Sequence, residues 1–171
     1  ELFNEGAITI EYTAAKDGKP AYGNHIMQNP GDAIFWHGPV TTDSLRIYSI
    51  EEGSHQYQWR DVDIQKYPAG DFSTSSPDGS NWLSSFFSGG PNGVRLRVGA
   101  SDELIFQWTA GRGEGFAQPH IQVVRLDRNS YEVLGQTQIW HPDLSFGYAS
   151  FALANFEVGM AIAWGGGGIG Y

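Results

Sequence analysis

The chain has no cysteine among its 171 residues, which removes disulfides, zinc-thiolate centres and thiol nucleophiles at once. Positive charge is scarce: 10 Lys and Arg stand against 19 Asp and Glu, for a net charge of −9. With no basic run to offset this, neither nucleic acid nor an anionic membrane surface is an expected partner. No apolar run approaches the roughly 20 residues of a membrane-spanning helix, so no membrane span is expected. A signal-peptide pattern and Asn-X-Ser/Thr sequons are also missing. The first residue is Glu1, which suggests a processed form or a piece of a longer chain. Helical periodicity is absent too. Apolar residues recur at i, i+2 and i+4, the spacing of strands, so the chain is expected to be all-β.

What is present is a repeat. Segments 22–37, 94–111 and 149–167 each read as a strand, an acidic turn and a second strand closing on tryptophan. The turns are placed at Pro30-Gly31-Asp32, Ser101-Asp102-Glu103 and Phe156-Glu157, and the tryptophans are Trp36, Trp108 and Trp164. Strand-like runs ending at Pro20, Pro68 and Pro142 precede the hairpins. Pro68 and Pro142 are 18 residues farther apart than Trp108 and Trp164, and one insertion at 73–91, rich in Ser, Gly and Pro, accounts for the difference. Four-stranded antiparallel units repeated in this way predict β-propeller blades. The expected division is an outer strand of a preceding blade at 1–20, blades at 21–68 and 69–142, and the start of another at 143–171. About three blades cannot close a ring, so further blades of the same chain or partner chains would complete it. The alternative is a self-contained β-sandwich of two sheets.

The segment Ser76-Pro77-Asp78-Gly79-Ser80-Asn81-Trp82 resembles the Asp-box of sialidase-type propellers, Ser-X-Asp-X-Gly-X-Thr-Trp, but is one residue short. In that resemblance Asp78 and Gly79 form a side-chain-stabilised turn and Trp82 packs into the blade, a structural role. Sialidases also imply an arginine triad that binds the substrate carboxylate. Arg95 and Arg97 are the positions to set against it, yet they are neighbours on one strand, where the triad is drawn from different blades.

Strand alternation puts Arg95 and Arg97 on one face and Val94, Leu96 and Val98 on the other. Two readings are open for the pair: bidentate binding of a ligand carboxylate, or pairing with nearby Asp and Glu on a solvated face. Asp61 and Asp63 share a strand face and suit calcium, acid/base work or plain solvation. The five histidines, His25, His37, His55, His120 and His141, show no ligand spacing, so no metal is expected. Neither a nucleophile elbow nor a phosphate loop occurs, and no cofactor is implied. The loop at 111–116, GlyArgGlyGluGlyPhe, has glycines suited to positive φ.

These features point to a non-enzymatic binding or assembly subunit outside the cytoplasm, extracellular or periplasmic. A sialidase-like or other glycan-active hydrolase and a carbohydrate-binding lectin are the alternatives. The expected partners are other protein chains or missing blades, with carbohydrate as a further ligand class.

Overall fold

A computed structural model describes residues 27–54, 56–74, 79–83 and 92–166, together with the backbone of 15–16 and 19–20. Every regular element among these is a β-strand. A two-residue antiparallel pair, β1 (Ala15–Lys16) and β2 (Lys19–Pro20), falls within the 1–20 segment expected to be an outer strand. The rest of that segment lies outside the described residues.

Three antiparallel sheets follow, none of them closed. The first is β3 (Ala33–Thr41), β4 (Ser44–Glu51) and β5 (Gln58–Asp63). The second is a four-stranded meander of β6 (Asn92–Val98), β7 (Ser101–Ala110), β8 (His120–Asp127) and β9 (Val133–Ile139). The third is the hairpin β10 (Leu144–Ala154) and β11 (Glu157–Gly166). They fall within segments 21–68, 69–142 and 143–171. Among the described residues the first sheet has three strands where four were expected. Most of the first arm of the expected 22–37 hairpin lies outside the described residues.

Alternation decides how the sheets stack. Phe35, Leu45, Ile47 and Val62 from the first sheet meet Leu104, Phe106, Trp108, Val124 and Leu126 from the second in one core. The opposite face of the second sheet turns Val94, Ile105 and Val123 toward Phe151, Leu153, Val158 and Met160 of β10 and β11. The second sheet is therefore the middle of three layers, which explains why β7 is buried along nearly its whole length. Both faces of β7 leave water, and burying apolar area in this way stabilises by roughly 25 cal/mol per Å2.

Side chains and backbone fasten the layers. Met27 N–H donates to Phe35 O, while Gln28 N–H donates to Gly93 O and Arg95 N–H to Gln28 O. Residues 27–29 thus stitch the first sheet to the edge of β6. Gln28 and the buried Gln107 donate through Nε2 to Phe151 O and Ala149 O, fixing β10 to the middle layer.

Two turns sit differently from their expected places. Val98 pairs with Ser101, so the second hairpin turns at Gly99-Ala100, and Asp102 is a strand residue facing Arg97. The third hairpin turns through Asn155 and Phe156, both at positive φ (49° and 65°), the geometry of a type I′ turn. The three tryptophans are also not equivalent. Trp108 is a core residue at 7 % exposure and Trp164 is 58 % exposed, while Trp36 stacks in parallel on Tyr48 with centroids 5.1 Å apart.

Candidate functional site

Among the described residues Arg95 is the largest fully buried side chain, 1 % exposed. It lies on β6 opposite Leu104, on the face toward the first sheet. Its Nε donates to Asp102 Oδ1 at 2.8 Å and its Nη2 to Asp102 Oδ2 at 2.7 Å, a bidentate fork. Its Nη1 donates to Pro30 O at 2.5 Å and to a carboxylate oxygen of Asp32. Arg97, two residues on and half exposed, reaches the same two acids: Nε to Asp102 and Nη2 to Asp32, each at 3.2 Å. Gly31 makes this possible. It holds φ +74°, and a Cβ there would lie 2.9 Å from Arg95 Nη1.

The charges are mutually compensated. Hydrogen bonding from the Arg95 guanidinium holds the carboxyls of Asp102 and Asp32 below the usual carboxylate range, with burial opposing part of the effect. The acids raise the already high pKa of Arg95 in return. A carboxylate kept ionised at neutral pH cannot act as a general acid, so the cluster is built as a clamp between the turn at 30–32 and the β6–β7 hairpin. Asp32 also walls a depression of about 360 Å3 shared with Ile34, Glu51 and Glu52. Behind it Arg128 donates to both oxygens of Glu51, at 3.1 and 3.2 Å. The guanidinium carbons of Arg95 and Arg128 lie 5.8 and 5.5 Å from the ring centroid of Phe35.

Of the two readings for the arginines, the structure shows both engaged with Asp32 and Asp102. The face is not simply solvated, because Arg95 is buried and Arg97 alone reaches water. Asp78 lies outside the described residues. Gly79 has φ +79°, and the Trp82 ring lies 6.0 Å from that of Tyr148, whose hydroxyl donates to Trp82 O at 3.2 Å. The neighbouring Leu83, fully buried, packs where Gly147 of β10 has no side chain. Asp61 is gripped by Arg46 at 2.6 and 2.8 Å on the outer face of the first sheet. Gly113 and Gly115 of the 111–116 loop adopt positive φ. Among the described residues no group of three or more His, Asp or Glu is placed to hold a metal, and no helix long and apolar enough to cross a membrane occurs. His25 and His55 lie outside them.

Among the described residues two histidines are buried. His37 packs against Phe106 and Trp108, its ring nitrogens have no hydrogen-bond partner, and desolvation lowers its pKa to about 3. His120 Nε2 lies at hydrogen-bond distance, 2.8 Å, from Gln122 Nε2. Desolvation lowers its pKa to about 4, against the opposing carbonyls of Gln118 and Gly111. His120 also stacks on Phe116, centroids 3.8 Å apart, and Phe116 meets Trp140 at 88°. This aromatic group and the glutamines beside it escaped the sequence reading. The spacing Gln136, Gln138, Trp140, one face of a strand, was its visible sign.

Comparison with models of protein families, with curated proteins and with solved structures finds no match.

Proposed function

We propose that this chain is a non-catalytic binding and assembly unit, a stack of propeller-type sheets working outside the cytoplasm and completed by further sheets. The observation that carries the proposal is the β10–β11 hairpin. Along both strands Glu157 is the one charged residue. The surface turned away from the middle layer carries small side chains, with Ser150, Ala152, Gly159 and Ala161 exposed. Tyr148 (46 %), Phe156 (73 %) and Trp164 (58 %) are exposed at the same hairpin. Edge strands that must stay free are usually blunted by charge, proline or brevity. β11 is ten residues long with none of these along its length beyond Glu157, and it pairs only with β10 among the described residues.

The order of the layers supports the propeller form of this reading, because the sheets stack face to face in chain order and the middle one is a four-stranded meander. The hydrolase alternative finds less support, since the acids beside Arg95 are held ionised and its guanidinium is already occupied. Light scattering combined with intact-mass spectrometry tests the proposal. A native particle larger than one chain, or a longer parent chain, is expected; a stable, non-aggregating monomer of 171 residues overturns it and favours a closed sandwich.

A further inference from the structure

At the end of the stack away from the Arg95 clamp, four chain segments meet around Trp140. Its indole is 51 % exposed. The ring is nevertheless held in place, because Phe116 packs at right angles to it with centroids 5.8 Å apart and is itself stacked on the buried His120. Among the described residues this perpendicular contact is the one ring contact of Trp140, and it cannot cover both faces of an indole, so the half-exposed Trp140 offers an open aromatic face. An aromatic platform fixed in advance loses little conformational entropy when it binds.

A row of amides runs up to that platform. Gln136 Nε2 donates to Gln65 O and to Gln122 Oε1, and Gln136 Oε1 accepts from Gln65 N–H at 2.7 Å. Gln138 Nε2 donates to Gln65 Oε1 and Gln122 Oε1. These contacts orient the outer amides and leave Gln65 Nε2 and Gln138 Oε1, one donor and one acceptor, without a partner among the described residues. Charge nearby is neutralised: Lys66 Nζ meets Glu114 Oε1 at 2.6 Å.

The geometry points to a binding site for a neutral pyranose sugar, with the apolar ring face stacked on Trp140 and hydroxyls bonded to Gln138 and Gln65. A pyranose has this dual character, C–H groups on its flat face and hydroxyls around its rim. Lys66 is paired with Glu114 and Arg112 with Asp71, so among the described residues no unpaired Lys or Arg stands at the site to favour an acidic sugar. The inference is independent of whether further sheets complete the stack.

The test follows the side-chain indole N–H signal of Trp140 by NMR while the intact chain is titrated with cellohexaose, xylohexaose or galactotetraose, with sialyllactose as the acidic comparison. Saturable movement of that signal by a neutral probe is expected; the side-chain amide signals of Gln138, followed in both the native chain and Trp140→Ala, should report about tenfold weaker binding in the variant, the loss of one stacking contact. Gln138→Leu should weaken binding while leaving the indole signal of Trp140 in the free protein in place. Trp140 is half exposed, so its variant should stay folded, and the signals of the core Trp108 verify that. No response to any neutral probe at roughly 10 mM, well above a 1 mM dissociation constant, overturns the assignment. So does preference for sialyllactose, or unchanged binding in Trp140→Ala.

Discussion

Replacing Arg95 by methionine tests the clamp most directly, because it keeps length and apolar bulk while deleting the guanidinium. Removing one member of a buried ion pair costs roughly 3–5 kcal/mol when the abandoned charge stays buried. Here it does not stay fully buried: the side chains of Asp32 and Asp102 are 54 % and 20 % exposed, and Arg97 still reaches both. The abandoned carboxylates can rehydrate, so the expected loss is about 2–3 kcal/mol. For a domain of this size that lowers Tm by roughly 5–10 °C. Arg97→Met, at a half-exposed side chain with longer contacts, should cost under about 1 kcal/mol. Urea denaturation of both variants, with a double-mutant cycle through Asp102→Asn, gives the coupling directly. The pH dependence has a definite sign. The folded-state pKa values of Asp32 and Asp102 are depressed, so the stability they supply is present above the unfolded value near pH 4 and lost as pH falls through the folded values. The gap between the native chain and Arg95→Met should therefore narrow in acid. Equal costs for Arg95→Met and Arg97→Met, or a gap that widens below pH 4, would refute the clamp.

Three other predictions rest on different contacts. The folded-state pKa of His37, about 3, lies below its unfolded value near 6.5. Stability should fall as pH drops through that window, by up to about 1.4 kcal/mol per pH unit from this residue, and urea midpoints of His37→Leu between pH 6.5 and 4 should show a shallower slope. Gly147→Ala would set a Cβ 2.2 Å from Leu83 Cδ1, so a loss of about 1–3 kcal/mol by overpacking is expected in thermal unfolding. Phe156→Gly relieves a bulky side chain at φ 65° in the β10–β11 turn and should raise stability by about 1 kcal/mol; a lower urea midpoint would mean that the exposed ring has a packing partner.

The strands were legible from local pattern. Alternation in Ser-Leu-Arg-Ile-Tyr-Ser-Ile marks β4, and the alternating run from Gln56 to Gln65 brackets β5, because a two-residue period leaves its mark in the residues themselves. The β8–β9 connection carries turn chemistry in Asp-Arg-Asn-Ser, where Asp127 Oδ1 accepts from Asn129 and Ser130 N–H. The Gly99-Ala100 turn was missed because Ser-Asp-Glu looked like turn chemistry, whereas Asp102 is held in a strand by arginines across the sheet.

From the sequence alone came an all-β chain, the segments that hold the three sheets, a net negative charge and arginines sharing one face of β6, all of them properties of composition and short-range period. Which sheet faces which, the burial of Arg95 between acids 63 and 7 residues away, and the meeting of Trp140 with Phe116 and the glutamines were decided by tertiary structure. Apart from the Arg95–Asp102 fork within one hairpin, those contacts join segments far apart in the chain, and nothing in a local pattern records the partner across the layer.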